Sequence, residues 1–168
     1  LYTLHSPGGG TGGTRTLSTI NTTTGAVTSI GSTGVGFILG MAFGSDGTLY
    51  GANGSSNGDL YTINTSTGAA SVLHSDTLAG TGLSGYTGFT IDMATNRAFG
   101  VTIANDKFGE IDLATGTFTE IGAGVSPPHY DIRGMTSLSS VDVPAPAGIV
   151  ILGLGLVGLG FSRTRKQH

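Results

Sequence analysis

Three stretches of this chain are copies of one another, and that copying constrains the fold more than any other feature. Residues 20–31 read INTTTGAVTSIG, residues 63–74 read INTSTGAASVLH and residues 111–122 read IDLATGTFTEIG, at spacings of 43 and 48 residues. Each copy has an apolar residue, an Asn or Asp, two intervening residues that are small and polar in the first two copies, Thr-Gly, and then a run of alternating character. An Asx side chain in that place can bond the backbone two residues on and start a turn. Gly25, Gly68 and Gly116 then supply the positive φ that closes a hairpin loop of about three to five residues. The runs AVTSI, AASVL and TFTEI alternate as half-buried strands do.

A second unit lies between these hairpins. GMAFGSDGTLYGAN at 40–53 matches GFTIDMATNRAFGVT at 88–102 with one residue inserted, and a third copy opens at Gly134 as GMTSL. Each full copy reads as strand, tight turn, strand, with Asp46-Gly47 as a two-residue hairpin turn. One repeat is therefore four short strands: GMAF, TLYGA, DLYTI and AASVL. Four antiparallel strands in 40–50 residues is the size of a β-propeller blade. The expected fold class is all-β: four-stranded antiparallel repeats of about 43–48 residues, roughly three blades of a β-propeller, plus a C-terminal hydrophobic helix. The expected inter-sheet core is Ile20, Phe43, Leu49, Tyr50, Tyr61, Ile63, Phe89, Ile91, Phe99 and Ile111.

The ends fit the same frame. Leu1-Tyr2 matches Leu49-Tyr50, and the Gly-rich SPGGGTGGT at 6–14 takes the place of GANGSSNGD at 51–59. The chain thus enters mid-blade and leaves after a first strand at 134–138. Pairing of that strand with strand 1–4 would close a ring of three. An open arc or prism-like stack is another solution, and an N-terminally truncated longer propeller is the leading expectation, since propellers close with about four to eight blades. Leu1 is preceded by neither Met nor a leader, as removal of a leader or truncation would give. The domain reading is 1–140 repeat domain, 141–146 Pro-containing linker, 147–161 transmembrane helix and 162–168 basic tail.

Charge separates the body from the tail. Arg163, Arg165 and Lys166 are three of seven basic residues, so the rest of the chain holds four scattered cations against 10 acidic groups. A body so depleted of positive charge offers no nucleic-acid surface. Cysteine is absent, so there is neither a disulfide nor thiolate chemistry, which is compatible with export from a bacterium.

The tail reads VPAPAGIVILGLGLVGLGFSRTRKQH from Val143. Pro144 and Pro146 break any preceding strand. Ala147 to Phe161 carries no charge; as a helix it would span about 22 Å, against a hydrocarbon core of about 30 Å. A buried strand or core helix is the plain alternative. Gly153, Gly155, Gly158 and Gly160 argue against it, being costly in soluble helices and frequent in membrane ones. The following Arg163, Arg165 and Lys166 would lie on the cytoplasmic side.

A Pro-containing motif, a glycine-rich hydrophobic helix and an Arg/Lys end resemble the PEP-CTERM family of exported bacterial proteins, over residues 143–167. The motif here is Val143-Pro144-Ala145-Pro146-Ala147, with Ala145 where the common form has Glu, which is similar to a VPxPA-type variant. The resemblance implies Gram-negative bacteria that make exopolysaccharide and biofilm, export through the Sec translocon, transient inner-membrane retention by the helix, and processing by an exosortase. LYTINTSTGA and SDGTLYGA resemble the propeller-like ectodomains often found before this signal.

Groups capable of chemistry are few. His129, Tyr130, Asp131 and Arg133 in SPPHYDIR form the one cluster, read either as a ligand-binding loop at a pocket mouth or as a polar inter-blade loop. Glu110 and Glu120 lie in one hairpin. Adjacent strands could bring them to the roughly 5–9.5 Å of a glycosidase pair, or leave them as outward strand residues. His74 stands where the other copies have Gly31 and Gly122, an expected surface position. GSDG and NGSSNGD do not fit a calcium loop, and the Gly-rich 6–14 lacks the Gly-Lys of a phosphate loop. No metal, cofactor or catalytic residue is expected. The loops Gly8–Thr14, Asn53–Asp59 and Pro127–Arg133 are the binding candidates, since loops on rigid scaffolds carry function. Asn21, Asn53 and Asn64 begin Asn-x-Ser/Thr sequences, and the many Ser and Thr are possible O-glycan acceptors.

The functional expectation is a non-enzymatic cell-surface or extracellular-matrix protein, for binding, adhesion or biofilm, with exopolysaccharide or surface glycans as partners. The alternatives are an exported propeller enzyme acting on glycans, as hydrolase or lyase, and a permanently anchored envelope scaffold.

Overall fold

The computed structural model describes residues 1–8, 13–55, 57–103, 106–123, 132 and 134–137. These residues are all-β. Eleven strands run β1 (Tyr2–His5), β2 (Thr14–Ile20), β3 (Val27–Gly36), β4 (Ile38–Phe43), β5 (Leu49–Asn53), β6 (Leu60–Ile63), β7 (Ala70–His74), β8 (Tyr86–Asp92), β9 (Arg97–Thr102), β10 (Phe108–Ile111) and β11 (Phe118–Glu120). They form three antiparallel meanders: β1-β2-β3, β4-β5-β6-β7 and β8-β9-β10-β11. The second and third sheets have the four strands expected from the repeat, in chain order.

The repeated turn sequence makes the same turn three times. The Asn21, Asn64 and Asp112 amides donate to the carbonyls of Ala26, Ala69 and Thr117, and the Gly25, Gly68 and Gly116 amides return to the Asx carbonyls. The Asx side chain accepts from the amide two residues on, at 2.8–2.9 Å in all three. The glycines hold φ of 73°, 81° and 75°, which a side chain rarely adopts. The other hairpin differs from expectation. Gly44 and Thr48 are hydrogen-bonded, Gly47 has φ 79°, and the loop is the three residues Ser45-Asp46-Gly47 rather than the pair Asp46-Gly47. Asp46 accepts the Thr48 amide at 3.0 Å, so the Asx cap lies inside the loop and lengthens it by one residue.

The sheets stack by one repeated step. A Cβ on Gly40 of β4 would lie 2.6 Å from Phe89 Cβ in β8, and one on Gly88 would lie 2.9 Å from Met135 Cγ. Both glycines open a GM or GF pair, so each faces the residue after the next repeat's glycine. The outer hairpins do the same. Gly31, at the end of one copy, packs under Thr67-Gly68 of the next, and His74 packs under Gly116, 2.7 Å from where a Cβ would stand. Only a backbone without Cβ can approach this closely.

Two apolar clusters fill the spaces. Leu17, Ile38, Leu49, Tyr61 and Ile63 lie between the first and second sheets. Leu60, Leu78, Tyr86, Phe89, Ile91 and Ile111 lead the larger cluster between the second and third. Six of the ten expected core residues are buried: Leu49, Tyr61, Ile63, Phe89, Ile91 and Ile111. Ile20, Phe43, Tyr50 and Phe99 are only half-buried. Phe99 faces outward, stacked on Phe108 with ring centroids 5.7 Å apart and covered by the Arg97 guanidinium.

Residues 134–137 are not a strand here. They lie alongside β8, with the Ser137 amide donating to Thr90 Oγ1 at 3.0 Å and the Ser137 hydroxyl to the Ile91 carbonyl at 2.6 Å. Among the described residues β1 pairs with β2 alone. The described part therefore holds no ring of three.

Candidate functional site

Among the described residues, open grooves mark where sheets meet. One, of about 560 Å³, runs between the outer hairpins of the second and third sheets and is lined by His74, Asp76, Thr77, Thr81, Thr115, Thr117 and Phe118, among others. The hairpin repeat positions them: Thr115 and Thr117 flank Gly116, which sits on His74. His74 is half-buried, not at the surface, because its Nε2 bonds the Leu113 carbonyl of the next sheet at 2.9 Å. It clamps two sheets together. One wall thus offers hydroxyls and a carboxylate, and the Phe118 ring offers a flat apolar surface.

A second groove of about 560 Å³ is lined by Tyr50, Asn96, Arg97, Glu110, Asp112 and Thr119. Its charges are committed. Arg97 holds Glu110 through both carboxylate oxygens, at 2.8 and 2.5 Å. That partner pulls the Glu110 carboxyl below its usual range. Asp112 is lowered by the Ala114 amide, Asp46 by the Thr48 amide, and Asp92 by the Thr95 hydroxyl. Each shifted carboxylate among the described residues is a better anion than usual, not a proton donor poised near neutrality. Burial pushes the Tyr86 hydroxyl up to about 12.

The pair that adjacent strands could have made of Glu110 and Glu120 does not form. Glu110 is opposite Thr119 and Glu120 is opposite Gly109, so the two project from opposite faces of the sheet. Glu120 is held by Lys107 at 2.6 Å. Both side chains stay partly exposed, at 35% and 38%. The described residues contain no group of three or more His, Asp or Glu able to hold a metal.

At the candidate loop Asn53–Asp59 the described residues are bonded into the fold. Asn53 is 5% exposed, and its side chain accepts the Ser55 amide and donates to the Gly36 carbonyl. Asp59 accepts the Asp76 amide, Asn57 the Leu78 amide, and Gly58 the Thr77 hydroxyl. The loop is the bed on which Leu78 and Tyr86 pack. Sequence reasoning missed this because Leu78 lies in a Ser/Thr/Gly-rich stretch outside the copied units. Asn21 and Asn64 are spent on their turns. Residues 9–12 of the first loop are outside the described residues. So are His129, Tyr130, Asp131 and Arg133, the motif Val143 to Ala147, the hydrophobic run 147–161 and the basic Arg163, Arg165 and Lys166. No helix among the described residues is long and apolar enough to cross a membrane.

Comparison of the chain with protein-family models, with curated proteins and with solved structures finds no match.

Proposed function

We propose that the chain is a non-enzymatic binding or adhesion protein of the cell surface or extracellular matrix, its sheets acting as blades of a β-propeller-like array. The observation that carries this is the hydroxyl-lined groove between the second and third sheets. Thr115 and Thr117 stand together beside the Phe118 ring, the Thr115 hydroxyl donating to that of Thr117, while the Thr77 and Thr81 hydroxyls donate to the Gly58 and Leu78 carbonyls and offer the groove acceptor oxygens. Convergent hydroxyls beside an aromatic face suit a polyhydroxylated ligand, which is bound by hydrogen bonds to its edges and apolar contact with its faces. The committed carboxylates support binding over hydrolysis. The tail from Val143 supports export and sorting by an exosortase-type enzyme, with the hydrophobic run as a transient membrane anchor.

Binding of exopolysaccharide to the purified chain tests the reading. Thr117→Val should weaken binding several-fold, as loss of one hydrogen bond predicts, while the Thr115 hydroxyl still bonds the Thr117 amide and holds the turn. Undiminished binding by Thr117→Val would place the ligand elsewhere. The terminal mass of the exported protein tests the sorting part: an end near Pro146 supports processing, and a chain still carrying Arg163 to His168 supports a permanent anchor.

A further inference from the structure

The groove between the second and third sheets has two walls of different chemistry. One is the segment after β7, with Asp76, Thr77 and Thr81. The other is the turn into β11, with Thr115, Thr117 and Phe118. Hydroxyls and a ring select a polyhydroxylated ligand but say nothing of its charge. Asp76 adds the charge.

Asp76 stands on a pinned backbone. Its φ is 55°, in the left-handed region, which Asp enters more easily than most side chains. Both of its main-chain groups are bonded: the amide donates to Asp59 Oδ1 at 2.9 Å, and the carbonyl accepts the Ala79 amide at 2.9 Å. Asp59 is itself anchored, since its other carboxylate oxygen accepts the Tyr61 hydroxyl at 3.2 Å. The exposed Asp76 carboxylate is thus carried at a fixed place on the groove wall.

That carboxylate is uncommitted. Asp112 is spent on the Ala114 amide, Glu110 on Arg97 and Glu120 on Lys107. Asp76 makes its bonds through the main chain, and its side chain holds no hydrogen bond or ion pair among the described residues. His74 on the same side of the groove is turned to the Leu113 carbonyl. Arg97 and Lys107 are held in their ion pairs, and neither lines the groove. The permanent charge among the described lining residues is therefore negative.

We infer that the groove selects amino sugars: it binds a polysaccharide with free amino groups through an ammonium–Asp76 pair and disfavours one built of uronate. The inference rests on the glycan-binding reading of this groove and names its ligand class. A sugar ring lies by its apolar face on Phe118. Its hydroxyls meet Thr117 and the acceptor oxygens of Thr77 and Thr81, and its ammonium donates to the Asp76 carboxylate. A uronate in that place would set two carboxylates together, and like charges repel.

Two ligands that differ only at the amine test this, a glucosamine hexamer and its fully N-acetylated counterpart, with a galacturonate hexamer as the third. Each is titrated calorimetrically into the detergent-solubilised full chain, at a pH above the carboxylate range and low enough to protonate the sugar amine. The glucosamine hexamer should bind about threefold to fivefold more tightly than the N-acetylated one, the scale of a solvent-exposed ion pair. Galacturonate should bind most weakly, and the preference should shrink with added salt. Asp76→Asn keeps a residue that tolerates the left-handed backbone. It should equalise the glucosamine and N-acetylated hexamers without weakening the N-acetylated one. Asp92→Asn removes the same unit of charge from a turn outside the groove, where an Asn side chain can still cap the Ala94 amide, and should leave the preference intact. Thr117→Val should weaken both hexamers alike, which reports on the groove itself. Equal affinity of the two hexamers for the unaltered chain would overturn the inference. So would a preference that survives Asp76→Asn, or one that Asp92→Asn abolishes equally. In each of those cases the groove reading stands if Thr117→Val still weakens both. Binding of none of the three, or binding that Thr117→Val leaves untouched, would overturn the groove reading and the inference with it.

Discussion

The second sheet is entered through Phe37 and the third through Gly85, and both residues hold the left-handed region, at φ 56° and 43°. Their carbonyls do the same work, accepting the amides of Gly54 at 2.8 Å and Ile103 at 2.9 Å. At Gly85 an added Cβ would run into the Gly54 and Ser55 carbonyls, whereas Phe37 is 42% exposed. By contrast Gly51 and Gly100 agree in both sheets. A Cβ on Gly51 would lie 3.0 Å from Ile38, and one on Gly100 would lie 2.8 Å from Tyr86, which occupies Ile38's position in the third sheet. The two sheets therefore share residues where faces close and differ where the surface is open. The repeat is a backbone plan with a few obligatory glycines, not a fixed set of side chains.

The comparison breaks most readily at the first-strand positions. Phe89→Ala, in the covered face, should cost about 4 kcal/mol. Met41→Ala, at the equivalent but half-covered position, should cost less than about 2 kcal/mol. Urea unfolding monitored by circular dichroism measures both, and equal losses would show that Met41 is as enclosed as Phe89. Next in size, Gly51→Ala and Gly100→Ala should each cost about 2 kcal/mol, because the facing side chains are packed against a closed core. The strand entries come next. Phe37→Gly should alter stability by less than about 1 kcal/mol, relief of left-handed strain offsetting the added chain freedom, while Gly85→Ala should lower it clearly.

The smallest effect is acidic. Asp92, Asp112 and Glu110 of the third sheet all have lowered carboxyl values, and the second sheet has only Asp46 so shifted. A lowered folded value means that the stabilisation is complete above the ordinary carboxylate range. It is lost as pH falls below about 4 and through the folded value. Amide exchange followed down that range should show the Asp112 turn opening before the Asn64 turn, which makes the same bonds without a titrating group. Asp112→Asn should remove the difference.

Strand order within the second and third sheets and the three Asx-Gly turns were legible because a copied sequence shows its period directly, whereas the copied GMTS at 134–137 is not a strand. The alternating runs also exposed six core positions. The Glu110–Glu120 separation was readable in principle, since the Asp112–Thr117 turn pair fixes Ile111 opposite Phe118 and therefore opposite faces. Leu78 and the clamp by His74 were not. One is an apolar residue in a Ser/Thr/Gly-rich stretch outside the copied units, and the other depends on contact with a sheet about forty residues away. Tyr86 becomes readable only when the second unit is extended two residues toward the N-terminus, where it aligns with Ile38. The groove residues gave no signal, because threonine in a β-rich chain marks strand and turn as readily as it marks a ligand.

The central claim is that one step, repeated, stacks the sheets. Proton–proton nuclear Overhauser contacts test it, since Gly31 with Gly68, Gly40 with Phe89 and Gly88 with Met135 are far apart in sequence and touch only through that step. The account predicts cross-peaks for all three pairs. A contact between Gly40 and Phe89 without one between Gly31 and Gly68 would contradict it, because the sheets would then meet at their first strands and not at their outer hairpins.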